Sequence, residues 1–439
     1  MSVKFVRHPV FVAALILSVT GSAMGELPTP PDSTGIPQAS AAPVPVTPKK
    51  PKKPRYVFTF NGRGFGHGVG MSQYGAYGAA RAGKTAEQII GLYYSGTQLQ
   101  TLPVTPVRVL LAAGAETITL RASGPWNALV EGAPLTAPSS LPPNKDLTVL
   151  RAGAATVVAD PTGVEVYRAT GPVRFTPVAA TTTTSLRGVR YRGVMRVIPD
   201  GTALTAINHV DLEQYLPGVV PREMPAGWGD TAPAALEAQA IAARSYAMAT
   251  KKSGQAFDMY ADERSQVYGG ASAEDPRASA AVAATAGKVV TSGGQIVTTF
   301  FFSTSGGKTE NVENVFSNRP LSYLVSVDDE AFDASSPHHI WKDPKTFTDG
   351  GLAKLIGLTS PVQTIKVLQR GASPRVKLVR FTARNGTFKD LRGTEVRSLL
   401  SLRDSWFTPR RRVRTPQTLR LVTASRTNQV PGDVLPPRN

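Results

Sequence analysis

From Val104 to about Asn208 the chain is a succession of short strand patterns, and this run limits the fold more than any other part of it. VRVLLAA, TITLRAS, DLTVLRAG, ATVVAD and GVEVYRA are β-branched or alternate apolar with polar residues, and Gly, Pro and Asp separate them. Segments this short cannot bury themselves as helices; they must pair edge to edge and cover one face. YRGVMRVIPDGTALTAINHV reads as a hairpin turning at Pro199-Asp200-Gly201. Further strands are expected at Arg55 to Phe60, as a pair around Ser292-Gly293-Gly294 within Lys288 to Phe302, and as a pair turning near Gly371 within Thr364 to Thr382.

Helical signals are fewer. Thr85-Ala-Glu-Gln88 fits a capping box, with Ile89, Ile90, Leu92 and Tyr93 as the apolar face. Asp230 or Thr231 can cap a helix running to about Thr250, with Pro233 in its first turn and Leu236, Ala240, Ala243 and Ala247 as a small-residue stripe. A short helix is expected at Gly393 to Leu402. The fold class is therefore α+β, β-rich with few helices, and no internal repeat is present.

Lys4, Arg7 and His8 precede an apolar run from Pro9 to Val19, with small residues at Gly21, Ser22, Ala23 and Gly25. That is the grammar of a secretory signal peptide over residues 1–25, and the run is short for a membrane span, an uncleaved anchor being the alternative. Cysteine is absent, so lipid attachment at Cys, disulfides and thiolate metal sites are all excluded. Residues 26–54, ending in PKKPKKP, read as an extended linker. The remaining divisions are a glycine-loop and helix segment at 55–98, a main domain at 104–410 and a flexible tail at 411–439.

Lys and Arg outnumber Asp and Glu 49 to 31, a formal charge of +18. A basic exported chain meets anionic wall polymers, lipid head groups and peptide carboxylates. Nucleic acid is the usual alternative; the export signal and the dispersed charge argue against it. The bland explanation is solubility with non-specific adhesion.

Because acids are scarce, Glu223 stands out. Val219-Val220 and Pro221 precede it, and Met224, Pro225 and Trp228 follow. Such surroundings desolvate a carboxylate and raise its pKa, which suits a general acid. The alternative is an ionised glutamate that caps or pairs. Upstream, NGRGFGHGVG superficially fits a nucleotide loop, but no βαβ unit with a distant acid accompanies it. Glycines that let backbone approach a bulky ligand are the better physical reading. His67 is either a substrate donor or a loop-stabilising one, and Ser72 and Gln73 either offer hydroxyl and amide groups to a ligand or cap a helix. Arg244 and Tyr246 either steer the acid and bind substrate or form a salt bridge and a core tyrosine. Asp262, Gln266 and Tyr268 make a polar cluster in which Asp262 can simply cap a turn. Ser303 and Ser305 sit in a polar loop without the elbow of a nucleophilic serine.

These blocks together resemble the SpoIID/LytB family of sporulation and cell-wall proteins. The stretch from Asp211 to Tyr246 carries its VxPxEMPxxW motif, FDMYADERSQVYGG and FFSTSGGKTE match later blocks, and LRGTEVRSLLSLRDSWF resembles its closing segment. GHGVGMSQYGA, Gly66 to Ala76, is also similar, but in the sporulation protein that motif lies near the C-terminal end and here it precedes Glu223. The resemblance implies a peptidoglycan lytic transglycosylase with Glu223 as catalytic acid. It implies glycan contacts from Gly66, His67, Ser72, Gln73, Arg244, Tyr246, Asp262, Gln266, Tyr268, Ser303 and Ser305. The rearranged loop is expected to dock beside Glu223. The partners implied are peptidoglycan glycan strands, anionic wall polymers and, since some members look like amidase modifiers, a wall amidase; nucleic acid is not among them. Secretion to the wall or the periplasmic side follows. Some relatives resemble a zinc form using Cys and His; without Cys and with scattered His, no metal and no cofactor are expected here.

Overall fold

The computed structural model describes residues 55–131, 139–252, 254–316 and 319–415. The signal-peptide and linker segments lie outside the described residues, as does the tail from residue 416. Architecture is β-rich α+β, as the strand patterns require.

Two antiparallel-rich sheets hold the 104–208 run. One takes the order Met259–Tyr260, Val107–Ala115, Ala203–Val210, Val194–Asp200, Val173–Pro177, Trp126–Val130, Ser139–Leu141. The other runs Glu165–Thr170, Ala155–Ala159, Leu147–Ala152, Thr117–Ala122, Thr184–Leu186, Val189–Tyr191. Alternation turns Ile118, Leu120, Val149 and Val158 of one and Trp126, Phe175, Val197 and Ala206 of the other into a single core. In the expected hairpin Asp200 pairs with Ala203, so Pro199 and Asp200 finish the strand and Gly201-Thr202 makes the turn.

The long helix spans Pro233–Ala249. Neither Asp230 nor Thr231 caps it: Ala232 is the N-cap, Pro233 supplies the first-turn geometry, and Asp230 is drawn instead to Arg277 at 2.7 Å. It is buried on most sides rather than along one stripe, with Ala235, Leu236, Ala238, Gln239, Ala240, Ile241, Ala242 and Ala243 all enclosed. Such a helix is a central post. The capping box at Thr85 forms, Oγ1 accepting from Gln88 at 3.3 Å and the Gln88 side chain accepting from Thr85 at 3.0 Å.

The C-terminal part has its own core of Phe58, Phe60, Trp341, Val379, Phe381, Leu391 and Phe407. Two residues of that core come from the other end of the chain. Strand Tyr56–Gly62 lies between Lys345–Thr348 and Phe407–Val413. Residues 55–98 are thus not one docked segment, because their first strand completes a C-terminal sheet. For the same reason the tail does not begin at 411: Arg411 pairs with Phe58 and Val413 with Tyr56. A third strand, Phe388–Arg392, joins the Val362–Arg370 and Val376–Ala383 pair, and the helix after it covers Gly393–Leu399.

Candidate active site around Glu223

Asp211 caps a helical turn at Leu212–Tyr215, a tighter turn follows at Leu216–Gly218, and Val220–Glu223 forms a last turn with Pro221 at its start. Met224 returns to extended backbone, so Glu223 sits where the chain changes direction. Val219, Val220 and Met224 are the anchors, all fully buried. The Glu223 Oε1 accepts the Val267 N–H at 3.0 Å. Burial pushes the Glu223 carboxyl up to about 7, and the negative charge of Glu263 adds to this; the Val267 N–H, Arg222 and the Gln73 amide act in the other direction. The group is a carboxyl that holds its proton near neutrality.

Gln73 reaches Glu223 from a helix, Gln73–Arg81, that begins directly after the glycine motif. The Gly66–Ala76 motif thus reaches Glu223 through Gln73. From the same helix, Tyr74 and Tyr77 pack on Trp228, ring centroids 4.9 and 4.3 Å away. Tyr246 faces the acid from the central helix: burial and the Glu223 charge both raise its hydroxyl.

Other predicted residues serve the scaffold. Arg244 is fully buried; it grips Glu213 at 2.8 Å through Nε and Nη2, and its remaining N–H groups meet the Ala240, Val282 and Lys288 carbonyls and the Thr285 hydroxyl. No donor is left for a ligand. Gln266 accepts from the Tyr215 hydroxyl at 3.3 Å and donates to the Ala243 carbonyl at 3.2 Å, and Tyr268 donates to Asn208 at 3.0 Å. Asp262 pairs with Arg264 at 2.7 Å and caps the turn, as its alternative reading had it.

His67 points inward. Its Nε2 donates to the Phe301 carbonyl at 2.9 Å and its Nδ1 accepts the Val69 N–H at 3.1 Å, which uses both ring nitrogens. Burial, with Arg397 and Arg375 nearby, holds it neutral, at about 3. The glycines around it likewise accommodate protein rather than sugar. A Cβ on Gly66, at φ +130°, would meet the Phe302 Cβ at 2.7 Å, and one on Gly68, at φ +89°, would meet Arg375 Nε at 2.3 Å.

Ser72, Ser303 and Ser305 knit loops together. Ser72 caps its helix by accepting the Gly75 N–H at 3.1 Å and donates to Asp333 at 2.8 Å. The Ser303 carbonyl accepts the Tyr74 N–H at 3.0 Å. Ser305 donates to Asp329. Asp333 collects Ser72, the Ser305 and Gly306 N–H groups and His339, whereas Asp329 receives only the Ser305 and Tyr93 hydroxyls. Burial and the Asp333 charge hold Asp329 up at about 7. The folded state thus keeps this proton where an unfolded Asp, near 3.9, has lost it. Its contribution is complete below about pH 4 and is lost as pH rises through about 7. Stability measured by denaturant midpoint should fall over that interval, and Asp329→Asn should flatten the fall. An unchanged slope would refute a protonated Asp329 in the folded state.

Three groups escaped the sequence reading: the Val267 N–H, Glu263 and the Tyr74–Tyr77–Trp228 cluster. Val267 lies inside SQVY and Glu263 just before it, so position relative to the motif was the available signal. The Asp329–Asp333 spacing in DDEAFD was also visible.

The fold and the site define a β-rich α+β protein organised around one proton-holding glutamate. Residues 200–292 match the family model SpoIID, Stage II sporulation protein. Over those residues the chain is similar to the SpoIID family. An uncharacterized protein of Brachyspira hyodysenteriae is 34% identical over 135 residues, 30% of this chain and 36% of that protein. Stage II sporulation protein D of Bacillus subtilis is 58% identical over 43 residues, 10% of this chain and 12% of its own length. The Amidase enhancer of the same organism is 50% identical over 48 residues, 11% of this chain and 7% of its own. The matches therefore span about a third of those relatives or less. No solved structure matches.

Proposed function

We propose that the chain is an exported peptidoglycan lytic transglycosylase that cleaves the bond between N-acetylmuramic acid and N-acetylglucosamine. The observation that carries this reading is the Glu223 carboxyl, held at about 7 by burial between anchored turns. A protonated Glu223 gives its proton to the glycosidic oxygen. The resulting carboxylate then takes the proton of the muramyl C6 hydroxyl as that oxygen attacks C1 of the same sugar. Nucleophile and electrophile share one ring, so the step needs no activated water and gains from proximity. The product is a 1,6-anhydro-muramyl end. Tyr246 and Gln73 border the carboxyl and are the side chains best placed to orient the sugar.

Glu263 supports a competing outcome. Its charge reaches Glu223, although the matched motifs had offered no clear second acid. A second carboxylate that activates water would make the enzyme a hydrolase leaving reducing ends. The name Amidase enhancer on a matched relative favours another reading, a non-catalytic wall binder that stimulates an amidase. Mass spectrometry of products from intact and peptide-free glycan strands separates the three. Anhydro ends are expected; reducing ends would mean a hydrolase, and no released sugar a binder.

A further inference from the structure

The net charge is not spread evenly over the chain. Residues 342–415 hold seventeen Lys and Arg against five Asp and Glu, a net +12 of the chain's +18. Eleven of the seventeen are Arg, the side chain whose planar fork matches phosphate and carboxylate oxygens. We propose that this C-terminal part is a docking surface for a linear polymer of repeating phosphodiesters.

The three-stranded sheet Val362–Arg370, Val376–Ala383, Phe388–Arg392 buries one face through Ile365, Val367, Val379, Phe381 and Leu391. Register puts Lys366 opposite Arg380, Arg380 opposite Asp390, and Leu378 opposite Arg392. By the two-residue alternation of a strand, Lys366, Arg380 and Arg392 share the other face. On that face Lys366, Phe388 and Arg392 are exposed, Phe388 at 56%. Arg410 and Arg412, both exposed, add cations on the Phe407–Val413 strand of the neighbouring sheet, opposite Thr59 and Val57. Arg411 between them joins the two sheets by donating to the Gln363 carbonyl at 2.8 Å. Four of the five acids here are already engaged: Asp390 with Arg380, Glu395 with Arg392, Asp349 with Arg384 and Asp404 with Arg375. Among the described residues Lys366, Arg410 and Arg412 make no ion pair.

The shape selects among polyanions. Charge is strung over two sheets, not gathered beside an apolar helix face that would enter a lipid surface. Phe388 has Arg380 over its ring, 4.1 Å from the centroid, so a base-stacking strand would find it occupied. A phosphodiester chain needs only spaced cations.

The inference rests on the wall-directed reading for its setting, but its test reads binding and not cleavage. A protein that binds without cutting would keep this inference and lose the enzymatic one. The full chain carrying Lys366→Ser, Arg410→Ser and Arg412→Ser is compared with one carrying Lys145→Ser, Arg190→Ser and Lys252→Ser, exposed cations elsewhere. Against poly(glycerol phosphate) at 0.1 M salt, the first set should weaken binding about tenfold, the scale of three exposed ion pairs, and the second less than about twofold. Equal losses would mean diffuse charge and overturn the proposal. So would tighter binding to phosphatidylglycerol vesicles or to single-stranded DNA than to the polymer. Unchanged melting temperatures in both variants exclude misfolding as the cause.

Discussion

Replacing Glu223 by Gln is expected to lower glycan turnover by at least about a hundredfold, the scale of a lost general acid, and to stabilise the protein above neutrality. The two effects have one origin. Burial disfavours the Glu223 carboxylate and holds the group at about 7, far above an unfolded glutamate near 4.3. Between those values the folded chain retains a proton that the unfolded chain releases. Its stabilising contribution is whole below about pH 4 and disappears as pH rises through about 7. Gln keeps the shape and never ionises, so at pH 8 the variant avoids the desolvated charge and gains on the order of 1–2 kcal/mol. Wild-type kcat/KM should fall as pH rises through about 7, because the acid form does the work. Turnover that survives in Glu223→Gln removes the assignment. Lost turnover without the gain in stability would instead mean that Glu223 is ionised in the resting site.

The second large effect is expected far from the acid. Arg375→Met should destabilise the protein by about 3–5 kcal/mol, the cost of leaving a buried charge without its partner. Arg375 is enclosed; Nε and Nη2 each bind Asp404 at 2.9 Å, and Asp404 is itself fully buried. The other contacts reach the Lys308 carbonyl at 2.6 Å and the Ser305 carbonyl at 2.8 Å, and the guanidinium lies against Gly68. One side chain thus joins the C-terminal part, the SGG loop and the glycine motif. In Arg375→Met with Asp404→Leu, no charge is stranded and much of the loss should be recovered. Chemical denaturation of both variants decides the matter: a double variant no more stable than Arg375→Met would show that the loops, and not the charge, set the cost.

How much was legible in the sequence depends on how local the cause is. Strands in the 104–208 run follow from alternation, and the Thr85 cap from four consecutive residues. The raised carboxyl of Glu223 follows from its immediate neighbours. Long-range pairing was not legible. Nothing near Tyr56 announces that its strand lies between Lys345–Thr348 and Phe407–Val413, and nothing near Arg244 announces Glu213 as its partner. The glycine motif shows the boundary best. Its residue types promised a close approach of backbone, and close approach is what they provide, but to Phe302 and Arg375. The identity of a neighbour lies in the tertiary fold, even where the need for one is written locally.

The pairing of Tyr56–Gly62 with Phe407–Val413, closed by the Arg414 N–H on the Arg55 carbonyl at 2.8 Å, also governs the order of assembly. The middle strand of this sheet leaves the ribosome long before either flank exists. It must wait, unpaired and apolar on one side, for nearly three hundred residues of chain until Lys345–Thr348 is made, and longer still for Phe407–Val413. Contacts of such sequence separation close slowly and expose aggregation-prone edges meanwhile. A chain truncated before Phe407 would lack one flank of that strand, while most of the sandwich, made of nearer neighbours, could already have formed. Truncation should therefore produce a partly folded, adhesive species and not an unfolded one, and the end of the chain acts as the last closing step of its beginning.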